Sequence, residues 1–163
     1  MKYMVAVTSP KKSENVIGVA AAHALGMGAE LIVLRVIPDP VKVGVVAQLI
    51  SSERPLEKAT EHIDKIVEDL KRRGINVRGE IRTGKVASTI VKTAEEEDVD
   101  ILFAGACHPD DRGFLMNRRD PIMEYLVDKL PTTLCIVRTT FEQENAEDDN
   151  GENSEIKENI ADG

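Results

Sequence analysis

The chain alternates short apolar runs with longer amphipathic stretches, and this alternation limits it to folds built from strands and helices in turn. Four runs are largely apolar, as strands covered on both faces are: 3–7, 31–37, 99–104 and 132–137. A fifth run, 75–82, alternates apolar and polar residues, which predicts a half-exposed strand at a sheet edge. Strands joined by helices pair in parallel through right-handed crossovers. The sequence therefore predicts an α/β domain with one parallel sheet and helices on both faces.

The helices between these runs have recognisable ends. Ser13 is a candidate N-cap for the first helix, and Gly26 and Gly28 supply its stop signals. Pro121 fits the first turn of the last helix. Over residues 53–73 the apolar positions recur at helical spacing: Leu56, Ala59, Ile63, Ile66, Val67 and Leu70.

The net charge of −8 lies entirely in the last part of the chain. Residues 141–163 contain nine acidic side chains and one lysine, whereas residues 1–140 contain 20 acids and 20 bases. Low hydrophobicity and like charges oppose a packed structure. We therefore expect an α/β domain over residues 1–140 and a disordered acidic C-terminal tail over residues 141–163. The tail is interpreted as a solubilising appendage, with a partner-binding or autoinhibitory arm as the alternative.

Composition argues against several kinds of partner. Aromatic residues make up 3% of the chain and Trp is absent, so the stacking surface that single-stranded nucleic acids need is missing. No stretch approaches the roughly 20 apolar residues of a membrane span, and the N-terminal run is too short for a signal-peptide core. Cys107 and Cys135 lack metal-ligand spacing and suit a reducing compartment. We expect a cytoplasmic protein that binds no nucleic acid, does not insert into a membrane and holds no metal.

Topology places the candidate site at one edge of the predicted sheet. Open parallel sheets bind ligands outside the carboxyl ends of their strands, where the strand order reverses. If the first and fourth strands are neighbours there, Thr8, Ser9 and Gly105 stand at that edge. The loop that opens at Gly105 is then the candidate functional edge.

Three segments resemble the universal stress protein family. They are the run 83–105, which starts TGKVASTI and ends AEEEDVDILFAG, the closing LVDKLPTTLCIVR, and the opening MVAVTS. The resemblance covers almost all of residues 1–140. It implies an open five-stranded parallel sheet of order 3-2-1-4-5, similar to the Rossmann type, and a homodimer paired through the last strand.

The resemblance also raises the question of ATP. Members that bind ATP carry a spaced set of three glycines and then a Ser or Thr after the fourth strand, so that backbone amides approach the phosphates. Gly105 matches the first glycine, whereas Asp120 and Pro121 occupy the last two positions. A carboxylate repels a phosphate and proline has no N–H to donate. Thr8 also stands where binders carry an acidic residue. The sequence therefore predicts no cofactor, with ATP or AMP disfavoured by Asp120-Pro121.

The loop after Gly105 carries further candidate groups. Guanidinium groups suit phosphate or carboxylate, so its arginines would form an anion site or pair with the loop's own acids, and the near balance of local charge favours pairing. The candidate ligand-binding residues are Thr8, Ser9, Val36, Gly105, Gly113, Arg112, Arg118 and Arg119. A redox role for Cys107 is the alternative to its being an incidental small residue. His62, flanked by acids on its helix, is expected to face solvent.

No nucleophile or general acid–base pair emerges from these residues, so we expect no catalytic residue. The leading hypothesis is a non-enzymatic stress-protein-like regulator or protective factor, dimeric and acting through contacts with an unknown protein partner. One alternative is a nucleotide sensor that binds ATP or AMP at the carboxyl edge of the sheet. Another is an accessory subunit of a membrane transporter, since domains of the family also occur fused to transporters.

Overall fold

A computed structural model describes residues 1–8, 10–39, 55–107 and 120–139, and within them strands and helices alternate without exception. The elements are β1 (Lys2–Val7), α1 (Pro10–Met27), β2 (Glu30–Ile37), α2 (Pro55–Arg72), β3 (Val77–Thr83), α3 (Val86–Glu96), β4 (Ile101–Cys107), α4 (Pro121–Lys129) and β5 (Thr133–Thr139). The strands form one parallel sheet of order β3-β2-β1-β4-β5, which confirms the predicted fold class and strand order. The predicted tail lies outside the described residues.

The strand predicted from its alternation does lie at the edge of the sheet. β3 pairs with β2 over Val77–Thr83 and with no other described strand. Its apolar residues Val77 and Ile81 pack into the core on the side of α2, whereas Arg78 and Glu80 on the other side are half-buried. β5 forms the opposite edge.

Three helices end in the same way before the chain enters the next strand. Residue 28 after α1, residue 74 after α2 and residue 98 after α3 have φ values of 62°, 82° and 51°. In each case the following N–H donates to a carbonyl five residues back, as Ala29 does to Ala24 at 2.9 Å, the pairing of a Schellman motif. Gly28 is therefore the stop signal, and the expectation that Gly26 also ends α1 is wrong, because Gly26 lies inside the helix.

Ser13 is not the N-cap of α1. The helix begins at Pro10, whose fixed φ and missing N–H suit the first helical position. Ser13 instead lies in the first turns, is 1% exposed, and its Oγ accepts a hydrogen bond of 2.9 Å from the Thr8 N–H. The side chain therefore fixes the turn between β1 and α1. In α2 the packed face begins at Ala59, because Leu56 is 57% exposed.

The core has two layers, one on each face of the sheet. Successive residues of β2 contribute to opposite layers: Leu31 and Val33 pack towards α1 and α2, and Ile32 and Leu34 pack towards α3 and α4. This alternation is what a strand covered on both faces requires. It places the side chains of odd-numbered β2 residues on the α1/α2 face and of even-numbered ones on the α3/α4 face.

Candidate functional site

A cleft opens at the carboxyl edge of the sheet, at the point where the strand order reverses. β1 pairs with β2 on one side and with β4 on the other, so the connections leave it in opposite directions. The cleft has a volume of about 380 Å³. We call it the edge cleft, and the residues that line it are Ala6, Val7, Thr8, Leu34, Arg35, Val36, Pro38, Val86, Ile90, Ala104, Gly105, Asp120, Ile122, Met123 and Leu126.

Small residues on the two central strands make room for the edge cleft. Ala6 of β1 and Ala104 of β4 are partners in the parallel ladder and lie on the face that α3 and α4 cover. Because neither side chain extends beyond a methyl group, the helices do not fill the space above them. The walls are aliphatic side chains from α3 (Ile90) and α4 (Leu126). The interior therefore suits an apolar group more than a highly charged one.

Arg35 is the residue that sequence reasoning missed. Its guanidinium Nη1 donates a hydrogen bond to the carbonyl oxygen of Thr8, the residue that follows β1. The Thr8 N–H in turn donates to Ser13 Oγ at 2.9 Å, so both backbone groups of Thr8 are engaged. The available signal was a single charged residue inside the apolar run 31–37, close to the carboxyl end of its strand.

The start of α4 forms one end of the edge cleft, and few of the backbone N–H groups there are free to bind a ligand. Asp120 is the N-cap, and its Oδ1 accepts a hydrogen bond of 3.0 Å from the Met123 N–H. Pro121 follows as the first helical residue and has no N–H. Pro121 therefore stands in the first turn of the helix, as predicted, and the structure adds that Asp120 caps it.

The structure brings together three of the predicted site residues. Thr8, Val36 and Gly105 all line the edge cleft. A Cβ added at Gly105 would lie 3.7 Å from Val16, an ordinary contact, so packing against α1 does not require glycine there. The remaining candidates lie outside the described residues: Ser9, Arg112, Gly113, Arg118 and Arg119.

His62 is not the solvent-facing side chain that the sequence suggested. It is half-buried on α2, and its Nδ1 is buried without a hydrogen-bond partner in the described part of the chain. Burial lowers the pKa of His62, and the positive charges of Arg35 and Lys65 lower it further. The neutral imidazole is therefore the form that the fold favours.

The described lining offers little chemistry for catalysis or metal binding. Its polar side chains are one hydroxyl (Thr8), one guanidinium (Arg35) and one carboxylate (Asp120), with no histidine or cysteine among the described lining residues. Across the residues that the structure describes, no group of three or more His, Cys, Asp or Glu side chains is placed to hold a metal ion. No helix in the described ranges is long and apolar enough to cross a membrane.

Comparison with known proteins yields one family. The model of the universal stress protein family matches residues 1–138. A similar solved structure is universal stress protein UspA from Lactobacillus plantarum, with a TM-score of 0.68 and 19% identity over 85% of this chain and 97% of that one. The universal stress protein from Archaeoglobus fulgidus in complex with dAMP gives a TM-score of 0.61 and 19% identity, covering 83% of this chain and 96% of its own.

A third similar structure is a universal stress protein in complex with cAMP, with a TM-score of 0.61 and 15% identity over 85% of this chain and 97% of that one. At these identities the likeness shows the fold alone. None of the curated proteins compared with the chain matches it.

Proposed function

The chain belongs to the universal stress protein family, and from this premise we propose that it is a non-enzymatic, homodimeric regulator whose edge cleft binds a small ligand. The observation that carries the proposal is the edge cleft itself, which is open and largely apolar and has no nucleophile–base pair in its described lining. Such a lining is consistent with binding a ligand without transforming it.

The dimensions of the edge cleft support a small-molecule ligand. Its volume of about 380 Å³ falls within the roughly 300–1,000 Å³ of typical ligand sites. Aliphatic walls formed by Val36, Ile90 and Leu126 suit a planar ring, and Arg35 and Asp120 supply polar groups at the rim. A nucleotide sensor is the second candidate function, since two similar structures contain dAMP and cAMP.

The two edges of the sheet differ in a way that supports self-pairing through β5. On β3, Arg78 makes ion pairs with Glu30, Glu80 and Glu97, and charged side chains on an edge strand disfavour pairing with another sheet. On β5, Ile136 is 38% exposed. β5 and the adjoining helix therefore present the more apolar edge, which suits a two-fold contact between two copies.

Exposed apolar side chains on α4 extend this surface. Tyr125 is 37% exposed and Val127 is 66% exposed, and α4 leads directly into β5. Burying apolar area of this kind is the main driving force for association of two copies. We propose that the regulator exists as this dimer and signals through protein contacts on its remaining surface.

One variant with a matched control tests the ligand-binding role. Val86→Trp places a large ring in the edge cleft, and Leu25→Trp adds the same ring at an exposed position of α1 outside the edge cleft. We expect calorimetric titration with adenosine to show saturable binding that Val86→Trp weakens at least tenfold and Leu25→Trp leaves unchanged. A wild-type protein that binds neither AMP nor adenosine would refute the ligand-binding role, and turnover of a bound nucleotide would refute the non-enzymatic role.

Sedimentation measurements test the dimer. Ile136→Lys introduces a charge on the β5 edge and should shift the protein towards the monomer. Leu25→Lys, which replaces a 55% exposed apolar residue on α1, should leave the dimer intact. A monomeric wild-type protein, or equal effects of the two variants, would contradict pairing through β5.

A further inference from the structure

We propose that Asp120 sets the specificity of the edge cleft: it excludes a phosphate from the α4 end and selects a ligand that presents a hydrogen-bond donor there. The ligand class is an uncharged, ring-bearing molecule with hydroxyl or amine groups, of which a nucleoside is the simplest example. This inference rests on the proposed function, because it specifies the ligand of the same cleft.

The first step concerns the backbone amides of α4. A helix N-terminus binds anions because its first N–H groups lack partners within the helix. In α4, Pro121 has no N–H, and the Met123 N–H already donates to Asp120 Oδ1 at 3.0 Å. Of the first three helical positions, Ile122 alone keeps an N–H that neither proline nor the cap has taken. At the start of α4, most of the amides that would compensate a phosphate's charge are therefore missing or already hydrogen-bonded.

The second step concerns charge. Asp120 is half-buried and shares the lining with aliphatic side chains, including Ile90 and Leu126. Charges interact more strongly near such low-dielectric walls than in bulk water. A phosphate at this end would therefore meet a carboxylate at short range, where a cradle for phosphate needs donors.

The third step concerns what the carboxylate does attract. An ionised carboxylate has several acceptor positions, and one hydrogen bond from the Met123 N–H leaves others for a ligand. Hydrogen bonds from a neutral hydroxyl or amine to a carboxylate are stronger than those between neutral groups. The α4 end of the edge cleft therefore favours a donor-bearing ligand over an anionic one.

Arg35 does not reverse this preference, because it stands elsewhere in the lining. Its side chain starts from the face of β2 that also carries Leu31 and Val33, under α1 and α2, and it donates to the Thr8 carbonyl. α4 and Leu126 lie on the other face, against Leu34. An acidic group of a ligand would find its counter-charge at the β2 rim, away from Asp120.

Titration of the full-length protein with adenosine, AMP and ATP in magnesium-free buffer tests the inference. Asp120→Asn keeps a capping oxygen, since Asn and Asp cap helices about equally well, and removes the charge. The matched control is Asp128→Asn, an exposed carboxylate of the same helix that does not line the edge cleft. Helicity by circular dichroism confirms that each variant is folded.

We expect the wild-type protein to bind adenosine at least tenfold more tightly than ATP. Asp120→Asn should reduce the ratio of adenosine affinity to ATP affinity at least fivefold by strengthening ATP binding. Asp128→Asn should leave that ratio unchanged. ATP binding tighter than adenosine binding, or a ratio that Asp120→Asn does not alter, would overturn the inference while the ligand-binding role stands. A protein that binds none of the three probes would refute both this inference and the proposed ligand-binding role.

Discussion

A close approach between a helix and the sheet gives a sharp test of the packing. α2 passes directly over β3 at Gly79, where an added Cβ would lie 2.2 Å from Cγ2 of Ile63 and 3.3 Å from Cγ2 of Val67. Both neighbours are β-branched, and such side chains have few rotamers to which they can turn in a helix. Gly79→Ala must therefore displace α2 or strain Ile63, although the backbone of Gly79 is itself exposed.

The expected magnitude follows from two opposing effects. Replacing glycine by alanine inside a regular element normally gains about 0.5–1 kcal/mol. Inserting a methyl group into packed space costs roughly 1–3 kcal/mol, and an approach of 2.2 Å places this site at the unfavourable end. We expect Gly79→Ala to lower the free energy of unfolding by about 2–2.5 kcal/mol net.

Urea unfolding at one fixed protein concentration measures this difference, since the stability of the proposed dimer would depend on concentration. Gly18→Ala is the control, because nothing lies within 4 Å of its added Cβ in α1, and it should stabilise by about 0.5–1 kcal/mol. In an Ile63→Ala background the conflicting methyl group is gone, so Gly79→Ala should become neutral or stabilising. A Gly79→Ala variant as stable as the wild type would refute the packing of α2 on β3 described above.

Two further predictions concern single side chains. His62 has a lowered pKa in the folded state, first because it is buried and then because of Arg35 and Lys65, so the unfolded chain takes up its proton first as the pH falls. The free energy of unfolding should therefore decline as the pH falls below the ordinary histidine value of 6.5 and level off below the folded pKa of His62. Urea unfolding midpoints measured over this pH range should show the decline for the wild-type protein but not for His62→Gln. Asp120→Ala removes the cap of α4 and should cost about 1 kcal/mol in urea unfolding, whereas a loss as large for Asp128→Ala would show that capping is not the cause.

The strands could be predicted from the sequence because their signals are local. Runs such as 31–37 are apolar because both faces of their strands are covered, and the alternation around Val77 marked the edge strand. Their order could not be derived in this way, because parallel pairing joins segments far apart, such as Tyr3 with Ile101. It came from the family resemblance, and the structure confirms it.

The residues that the sequence analysis misjudged or missed depend either on competition between neighbouring helix-start signals or on contacts with residues far away in the sequence. Ser13 has the chemistry of an N-cap, but Pro10 suits the first helical position and starts the helix earlier. Arg35 contacts the Thr8 carbonyl, 27 residues away, and no local pattern reveals which carbonyl an arginine will meet. His62 was placed from its acidic neighbours on α2, whereas the charges that lower its pKa after burial are those of Arg35 and Lys65.

Pro121 was placed correctly at the first turn of α4 from the sequence, whereas the capping role of Asp120 comes from the structure. This cap bears on how the folding of α4 relates to ligand binding. A helix start with unpaired amides gains stability when an anion arrives, so that fold and ligand become coupled. Here the cap and the proline already account for the amides of residues 121 and 123. α4 therefore needs no anion to complete its first turn. The residue pair that caps this helix start is thus the pair that we propose excludes a phosphate from the α4 end of the edge cleft.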